Sequence, residues 1–265
     1  MTPERFDIYD DQQQWLGTAP RNEVHAKGYW HRSFHCWIVR DEGSKRMVLF
    51  QRRRDIKDTF PGYYDITAAG HLTAGEQLQD AHRELEEELG VHTSFDVLTY
   101  LFTAKQQLQG EVRGIPFLDR EFSAVYGLCL NQPLESYVLQ ASEVDSLYEA
   151  PLDDLLALFR QEKDVVQVSG VRAQQQTFTQ NGKALSTPSE DNTPLSTFPR
   201  TSEPLSECTQ EVTTTAADLL SNHGDYKYSA SAARLVREIH LADFVPHGTT
   251  YYIDALEALK RVHGV

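Results

Sequence analysis

Three things are scarce in this sequence of 265 residues: cysteine, positive charge and long apolar runs. The three cysteines, Cys36, Cys129 and Cys208, are an odd number at wide spacings, which excludes a disulfide framework and a Cys-x-x-Cys zinc site and favours a reducing compartment. The formal net charge of −14 argues against broad binding of nucleic acid or anionic membranes. No stretch approaches roughly 18 apolar residues and the N-terminus carries no signal pattern, so we predict a cytoplasmic protein without a membrane span.

Composition divides the chain into four parts. An N-terminal extension over residues 1–27 precedes residues 28–165, where alternating strand-like and helix-like segments predict an α/β domain. Residues 166–225 are dominated by Ser, Thr, Pro, Gln and Glu from about residue 174, a low-complexity composition that predicts a flexible insertion. Residues 226–265 regain helical periodicity in SASAARLVREIHL and YYIDALEALKRV, so we predict a C-terminal helical segment that packs on the main domain.

Several elements can be placed inside the α/β domain. SFHCWIVR (33–40) and RMVLFQRR (46–53) flank the turn DEGSK and predict a hairpin. Residues 95–104 and 120–130 predict two further strands. Two helices are expected, one over residues 78–89 and one over residues 152–162, where Pro151 favours a helix start.

The segment RELEEEL (83–89) carries four glutamates in five positions. On a helix of about 100° per residue, Glu87 and Glu88 lie within about 60° of Glu84, whereas Glu86 lies near 200°, on the far side. The apolar residues form one stripe that would face the core: Leu78, Ala81, Leu85 and Leu89. Three carboxylates therefore share one face beside the predicted core.

Carboxylates held together beside a core repel each other unless a cation neutralises them. Oxygen ligands select hard cations, so Glu84, Glu87 and Glu88 are candidate ligands of Mg²⁺ or Mn²⁺. Because Mg²⁺ typically bridges to substrate phosphates, the expected partner is a small-molecule diphosphate. A solvated acidic surface is the alternative interpretation of the same three residues.

The residues around the glutamates favour a site. Gly70 opens the loop that leads into the helix, and a glycine lets backbone groups approach a phosphate or a metal closely. His71 follows it and is a candidate phosphate contact. Arg83 lies beside Glu84 and Glu87 on the helix, where it can orient a carboxylate through a charge-assisted hydrogen bond.

The run Arg52-Arg53-Arg54 ends the strand that precedes this loop. Alternation along a strand places Arg52 and Arg54 on one face and Arg53 on the other. Either face could contact phosphate, and Arg52 and Arg54 are the pair that we predict; a solvated strand end is the alternative. The aromatic residues of TFPGYYD (59–65) could stack on a base or simply pack in a turn.

The segment from Gly70 to Val91 resembles the signature of the Nudix hydrolases, which reads G, five residues, E, seven residues, REU, one residue, EE, one residue, GU, where U is aliphatic. Every fixed position matches, but only six residues separate Glu76 from Arg83. The resemblance implies an α/β/α sandwich with a mixed β-sheet and a loop-helix-loop metal site. It also implies Mg²⁺- or Mn²⁺-dependent cleavage of a nucleoside diphosphate linked to a moiety X, and it makes a homodimer plausible.

The flanking segments VHAKGYWHRSFHCWIV (24–39) and LFQRRRDIKDTFPGYYDITAAGHL (49–72) resemble the branch of that superfamily that includes isopentenyl-diphosphate isomerase. This resemblance implies a second metal site at His25, His31 and His71 and a downstream glutamate at Glu143. The isomerases carry a catalytic cysteine where this chain has Ala69. Alanine has no proton to give, so we predict a hydrolase and keep isomerisation as the alternative.

The predicted catalytic residues are Glu84, Arg83 and Glu143. For the base that activates the attacking water, the sequence leaves Glu84, Glu143 and Glu121 open. A Nudix-fold module that senses a nucleotide without cleaving it is the remaining alternative. Such modules usually lose the carboxylates of the signature, and this chain keeps them.

Overall fold

The computed structural model describes residues 4–57, 59–112, 114–173 and 234–264. Within these ranges the elements follow in this order: β1 (Arg5–Tyr9), β2 (Trp15–Pro20), α1 (Arg21–Lys27), β3 (Trp30–Glu42), β4 (Lys45–Arg53), β5 (Tyr64–Asp65), β6 (Ala68–His71), α2 (Arg83–Leu89), β7 (Thr99–Val112), β8 (Ile115–Cys129), β9 (Val144–Pro151), α3 (Leu152–Phe159), β10 (Val166–Arg172), β11 (Leu235–Ile239) and α4 (Thr249–Leu259). Short 3-10 helices lie at Leu78–His82, Phe95–Val97, Leu134–Ser136 and Leu241–Asp243. Residues 174–225 of the predicted insertion lie outside the described residues.

The predicted hairpin of β3 and β4 forms the middle of the sheet. Its two strands pair antiparallel around a turn at Gly43, whose φ of +61° a glycine adopts without steric cost. β3 also pairs in parallel with β8, with Trp30 opposite Arg120 and Val39 opposite Cys129. The other described strand pairs are antiparallel, so the sheet is mixed, as predicted.

The sheet extends outward from this hairpin in both directions. On one side β4 pairs with β9, β9 with β10, and β10 with β11. On the other side Tyr9 of β1 pairs with Trp30 of β3, and β1 pairs with β2. The residues predicted as an N-terminal extension therefore join the sheet, while the division of the chain into domains stays a prediction.

Helices cover both faces of the sheet. Trp37 and Val39 of β3 belong to the core that includes α3 and α4. Phe34, Cys36 and Ile38 of the same strand belong to the core that includes α2. Alternate side chains of β3 thus pack in two different cores, because successive side chains of a strand point to opposite faces of the sheet. The predicted α/β/α sandwich is confirmed.

Two segments near the predicted insertion form strands that the sequence did not predict. Val166–Arg172, which we assigned to the flexible insertion, forms β10, because strands β9 and β11 satisfy its backbone on both sides. Leu235–Ile239, which we predicted as helical, forms β11, where burial alternates with a period of two residues. Pairing with the edge of β10 favours a strand at Leu235–Ile239, and local periodicity gives no information about that pairing. The helix predicted in YYIDALEALKRV is confirmed as α4.

The predicted helix over residues 78–89 is helical throughout but not uniform. Leu78–His82 winds as a 3-10 helix, and α2 begins at Arg83. Gln77 and Asp80 cap the start through reciprocal hydrogen bonds, an arrangement that satisfies the free N–H groups of the first turn. The angular argument about the glutamates therefore applies to the α-helical part, which contains all of them.

The strand predicted over residues 95–104 begins later than expected. Phe95–Val97 forms a 3-10 helix, because Phe95 and Val97 turn inward against the core beside α2. β7 starts at Thr99 and continues to Val112, and β8 starts at Ile115. The resulting hairpin is longer than its apolar residues indicated, since polar residues occupy its outer half.

Candidate active site

One cleft, with a volume of about 360 Å³, collects most of the predicted site residues. Its lining comes from α1, β3, the end of β4, β5, β6, α2, β7, β8, residues 140–143, residues 245–247, and from Glu4, Lys57, Thr59 and Phe60. The predicted residues that line it are His25, Gly70, His71, Arg83, Glu84, Glu87, Glu88, Glu121 and Glu143.

The glutamates of α2 are oriented as the helical geometry predicts. Glu84, Glu87 and Glu88 line the cleft. Glu86 is exposed and pairs instead with His92, at 3.2 Å between Oε1 and Nδ1. Buried apolar residues anchor the other side of the segment: Ala81, Leu85 and Leu89. The role of the three cleft glutamates as metal ligands stays a prediction.

Arg83 joins three carboxylates. Its Nη1 donates to Glu84 at 2.7 Å and to Glu87 at 3.0 Å, and its Nε donates to Glu76 at 2.8 Å. Glu76 also accepts hydrogen bonds from the backbone N–H and the hydroxyl of Thr73, at 2.8 and 3.0 Å. Burial alone would raise the pKa of Glu76, but the bonds from Arg83 and Thr73 hold it below its usual value. Glu76 therefore supports Arg83 despite the shortened spacing.

Gly70 makes room for Glu84. A Cβ at Gly70 would lie 2.2 Å from Cδ and Oε1 of Glu84, so the carboxylate packs directly on the backbone of β6. Gly70 is held in place by its pairing with Phe34 of β3. We expected the backbone at Gly70 to approach a phosphate or a metal; in the structure it is approached by a carboxylate from α2.

Glu84 and Glu88 share a buried part of the cleft. Burial raises the pKa of both carboxyl groups, and the charge of Glu84 contributes to raising the pKa of Glu88 to about 8. Gln51 Nε2 donates to Glu88 at 3.2 Å but brings no charge. Two neighbouring carboxyl groups that resist ionisation are an arrangement that a cation would stabilise.

The cationic residues of the cleft are not those that we predicted. Arg52 and Arg54 face Asp145 of β9, at 3.1 and 3.9 Å, and neither lines the cleft. Arg53 and Lys57 line it instead. The pairing of β4 with β9 shifts register between Arg52 and Arg53, and Asp145 of β9 attracts the two arginines on that face. The structure therefore places Arg52 and Arg54 outside the lining of this cleft, and their contact with phosphate stays a prediction.

The candidate bases are held in different ways. Glu121 is partly buried and accepts hydrogen bonds from the hydroxyls of Ser33 and Ser123, at 2.8 and 3.2 Å, and from His71 Nε2 at 3.0 Å. Burial favours the protonated form, yet hydrogen bonds from His35 and His71 and the charges of His71 and His31 hold the pKa of Glu121 well below its usual value. A carboxylate with so low a pKa is a weak base. Glu143 lines the cleft and its side chain is 35% exposed.

A second group of ligand-type side chains lies beside Glu121. His25 on α1, His31 on β3, His71 on β6 and Asp119 on β8 each place one ligand atom within 4.8 Å of the others. Asp119 Oδ1 lies 3.4 Å from His31 Nε2 and 3.7 Å from His25 Nε2. These three atoms are buried and have no hydrogen-bond partner among the described residues.

The electrostatics of this histidine group suit a metal ion. Burial lowers the pKa of His25 to about 3 and that of His31 to about 4, and neighbouring histidines add to the effect. His31 Nδ1 donates to the carbonyl of Tyr29 at 3.1 Å, so its Nε2 carries the lone pair. Burial, reinforced by Glu121, raises the pKa of Asp119 to about 7. Sequence reasoning missed Asp119, although its place two residues before Glu121 puts both on one strand face.

His247 is a second cleft residue that sequence reasoning missed. It lies in the C-terminal segment, and its Nε2 donates to Asp65 at 2.9 Å, across 182 residues of sequence. Arg53 Nη1 also donates to Asp65, at 3.0 Å. Burial opposes the ionisation of Asp65, but the charges of His247 and Arg53 hold its pKa at about 2. Gln106 fixes the backbone by donating to the His247 carbonyl at 3.1 Å. No local pattern marks His247.

Ala69 lines the cleft on β6, opposite His35 of β3. Both cysteines in the described ranges, Cys36 and Cys129, are buried, and neither lines the cleft. Burial raises the pKa of the Cys36 thiol far above its usual value. The described lining of the cleft therefore offers no thiol for proton transfer.

In the ranges that the structure covers, no helix has both the length and the apolar character needed to cross a membrane. The cytoplasmic location and the homodimer stay predictions. So does the expectation that the chain does not bind nucleic acid broadly.

Comparison with known proteins gives one family. The family model of the NUDIX domain matches residues 29–167. An uncharacterised Nudix hydrolase of Clostridium acetobutylicum is 38% identical over 170 residues, which cover 64% of this chain and 81% of that protein. Nudix hydrolase 3 of Arabidopsis thaliana is 37% identical over 158 residues, 58% of this chain and 20% of the plant protein.

An isopentenyl-diphosphate Delta-isomerase of Mycolicibacterium vanbaalenii is 42% identical over 92 residues, 34% of this chain and 49% of the isomerase. The chain thus spans about a fifth of the plant relative and about half of the isomerase. Among solved structures, a Deinococcus radiodurans protein matches at a TM-score of 0.43 and 20% identity, over 60% of this chain and 91% of that one. The NUDIX domain of Shewanella oneidensis NrtR, complexed with ADP ribose, matches at a TM-score of 0.37 and 18% identity, over 47% of this chain and 75% of that one.

Proposed function

The chain belongs to the Nudix family and is a pyrophosphohydrolase of that family, and from this premise we propose that it hydrolyses the diphosphate linkage of a nucleoside diphosphate joined to a moiety X. Mg²⁺ or Mn²⁺ is the proposed cofactor. The observation that carries the proposal is the pair formed by partly buried Glu84 and buried Glu88. Burial raises the pKa of both carboxyl groups, and the charge of Glu84 adds to the rise at Glu88.

The cleft carries both acidic and basic side chains. Glu84, Glu87 and Glu88 come from α2, and Arg53 and Lys57 come from the end of β4 and the loop that follows it. A diphosphate carries negative charge that the two cations can bind directly. The carboxylates cannot contact the same phosphate oxygens directly, because like charges repel each other. A cation between them would bind both groups, and Mg²⁺ typically binds carboxylates and phosphates in this way.

The donor atoms of this chain fit two metal ions of different character. Glu84, Glu87 and Glu88 offer only oxygen, which suits Mg²⁺ or Mn²⁺. The histidine group offers imidazole nitrogens and one carboxylate, which suits Zn²⁺ or another transition metal. Bound ions would neutralise charge on the phosphate oxygens and lower the pKa of the attacking water.

Glu143 is the proposed base. Glu121 is a weak base because its oxygens already accept hydrogen bonds, and Glu84 is held by Arg83. Glu143 lines the cleft and forms an ion pair with Lys57, which can shift to a substrate phosphate when one enters. The carboxylate of Glu143 would take a proton as the water oxygen bonds to phosphorus. The bond from phosphorus to the bridging oxygen then breaks, and its electrons remain on the leaving phosphate.

A substrate screen tests the proposal. The wild type and the Glu88→Gln variant are incubated with Mg²⁺ or Mn²⁺ and with ADP-ribose, diadenosine tetraphosphate, nucleotide sugars, nicotinamide and flavin dinucleotides, and nucleoside triphosphates. We expect the wild type to release nucleotide from at least one of them and the variant to release none. If the wild type cleaves none, the chain is better explained as a nucleotide-sensing module.

Isomerisation is the second candidate because of the partial match to an isopentenyl-diphosphate isomerase. Ala69 stands in the cleft at the position of that family's cysteine, and the described lining contains no thiol. We therefore expect the wild type to leave isopentenyl diphosphate unisomerised, as measured by product analysis. Formation of dimethylallyl diphosphate would overturn the hydrolase assignment.

A further inference from the structure

A second cleft, with a volume of about 350 Å³, lies next to the catalytic cleft. Its described lining is mainly apolar, and five of the eleven residues are aromatic. The aromatic members are Phe60, Tyr63, Phe159, Phe244 and Tyr252. The remaining members are Leu241, Ala242, Val245, Pro246, Gly248 and Thr249. Apolar walls with a few polar groups are typical of sites that bind small molecules.

The two clefts are continuous. Phe60 and Val245 line both of them. Phe60 belongs to the loop between β4 and β5, which also carries Lys57 of the catalytic cleft. A molecule whose diphosphate lies beside Lys57 and Arg53 can therefore extend past Phe60 into the second cleft.

Most of the second cleft is built by a segment that the Nudix family model does not reach. The family match ends at residue 167, whereas eight of the eleven lining residues lie between Leu241 and Tyr252. The spacing of the Nudix signature therefore gives no information about this wall. It is a feature of this chain's C-terminal segment.

The wall is held firmly in place. Val245 N–H donates to the Tyr64 carbonyl at 2.9 Å, and the Tyr252 hydroxyl donates to the Val245 carbonyl at 2.8 Å. His247, two residues further, is bonded to Asp65. Backbone and side-chain bonds thus fix this segment to β5, so the cleft exists before a ligand enters and little ordering is needed on binding.

Phe60 is held in an unusual conformation at the junction of the clefts. Its φ is +47°, in the left-handed region that a bulky residue rarely adopts. Pro61 and Gly62 follow in a turn closed by the Tyr63 N–H and the Phe60 carbonyl at 3.4 Å, and Gly62 has φ +75°. Strain of this kind persists where the surrounding structure holds a side chain for a purpose, and it often marks ligand contacts.

We propose that the second cleft binds the planar base of the substrate's nucleoside, with Phe60 and Tyr63 as the aromatic contacts. This assignment rests on the proposed function, because it places the nucleoside beyond the diphosphate that the catalytic cleft holds. It makes the substrate class a nucleotide and excludes diphosphates that carry only an alkyl or isoprenoid chain.

The lining favours a planar base over an alkyl chain. An alkyl chain needs only apolar area, which aliphatic residues supply equally well. Aromatic residues add stacking, which tolerates any base because each base has a π-face. Phe60 and Tyr63 are only partly buried, so their rings are open to such contact.

The test compares two probes that lack a diphosphate linkage, so that binding is measured without turnover. AMP carries the base, and ribose 5-phosphate is the same fragment without it. Calorimetry with the wild type should show AMP binding about tenfold or more tightly than ribose 5-phosphate. Equal affinity for the two probes, or tighter binding of octyl phosphate than of AMP, would overturn the assignment.

Two variants remove the aromatic contacts. Phe60→Gly removes the ring and also relieves the positive φ, so its melting temperature should equal or exceed that of the wild type. Tyr63→Ala removes the second ring without touching the backbone conformation. Each variant should lose most of the preference for AMP, whereas Tyr100→Ala, on an exposed aromatic outside both clefts, should keep it.

The outcomes separate this inference from the proposed function. A wild type that prefers AMP but hydrolyses no diphosphate would contradict the hydrolase mechanism and support the base site. A wild type that hydrolyses diphosphates but shows no preference for AMP, or variants that bind AMP as the wild type does, would contradict the base site alone.

Discussion

Two groups of potential metal ligands lie in or beside one cleft, and the chain builds them in opposite ways. Glu84, Glu87 and Glu88 come from a single helix of seven residues. The histidine group, consisting of His25, His31, His71 and Asp119, takes one member each from α1, β3, β6 and β8. A group on one helix follows from local spacing, whereas a group drawn from four elements exists only after the sheet has formed.

Burial shifts the pKa values of the two groups in opposite directions. It raises the pKa of Glu88 to about 8 and lowers that of His31 to about 4. In both cases the uncharged form is favoured, because charge is costly away from water. A cation would stabilise the first group by relieving carboxylate repulsion and the second by using lone pairs that have no hydrogen-bond partner among the described atoms.

The largest expected effect on activity is a difference between substitutions on the two faces of α2. Glu88→Gln should lower kcat about a thousandfold, because a metal contact is worth several kcal/mol of transition-state stabilisation. Glu86→Gln, on the exposed face, should stay within about twofold of the wild type. Steady-state kinetics with Mg²⁺ on the substrate found by the screen measures both. Equal sensitivity of the two positions would show that helix position does not divide these glutamates.

A second prediction asks whether the α2 group can be displaced while the histidine group stays. Gly70→Ala would place a Cβ 2.2 Å from the Glu84 carboxylate, which must then move. We expect a loss of roughly a hundredfold in kcat, an effect of misplacement of a catalytic group. Gly264→Ala is the control, because a Cβ there would meet no atom closer than 3.5 Å. Unchanged kinetics for Gly70→Ala would disprove the need for this close packing.

The third prediction addresses the histidine group directly. His31→Gln should remove one tightly bound transition-metal ion per chain and weaken its affinity at least about tenfold, since a buried ligand atom is lost. Glu87→Gln should leave that ion in place. Elemental analysis of the purified proteins and competition with a chelator provide the measurement. Equal metal content in the wild type and His31→Gln would refute the site.

The smallest effect concerns stability in the metal-free protein, where the two groups should respond oppositely to pH. The pKa of Glu88 rises from 4.5 to about 8 on folding, so its contribution to stability is present below pH 4.5 and is lost as the pH rises through 8. The pKa of His31 falls from 6.5 to about 4, so its contribution is present above pH 6.5 and is lost as the pH falls through 4. Within each window the slope is about 1.4 kcal/mol per pH unit.

Urea unfolding of the metal-free proteins from pH 5 to pH 8 measures these slopes. Glu88→Gln should lose less stability than the wild type as the pH rises, and His31→Gln should lose less as the pH falls. Curves parallel to that of the wild type for both variants would show that neither group is shifted by burial in solution.

The shortened spacing in the Nudix signature shows how a local change is absorbed. One residue fewer separates Glu76 from Arg83 than the signature has, yet the two side chains are hydrogen-bonded at 2.8 Å. The residues between them wind as a 3-10 helix. Since a 3-10 helix rises about 2.0 Å per residue and an α-helix about 1.5 Å, fewer residues cover the same length. The sequence showed the deletion, but only the structure shows that a 3-10 helix compensates for it.

Sequence reasoning predicted the central hairpin, the mixed sheet and the faces of α2 because each depends on short-range periodicity. It misplaced β11, because a five-residue strand at a sheet edge is decided by the neighbouring strand rather than by its own pattern. It chose Arg52 and Arg54 over Arg53, because local alternation does not reveal that Asp145 of β9 pairs with Arg52 and Arg54. The errors thus fall where pairing between distant segments determines the outcome.

The amino-acid sequence by itself determined the family, the sandwich of helices on a mixed sheet, and the three glutamates that share a helix face, since all of these follow from residues close together in the chain. Only the tertiary structure decided that Gly70 makes room for Glu84, that Asp119 joins the histidines, and that His247 meets Asp65. It alone placed an aromatic cleft beside the cleft that the glutamates line. Contacts between distant segments depend on strand register and on the return of the C-terminal segment, and neither is encoded in local spacing.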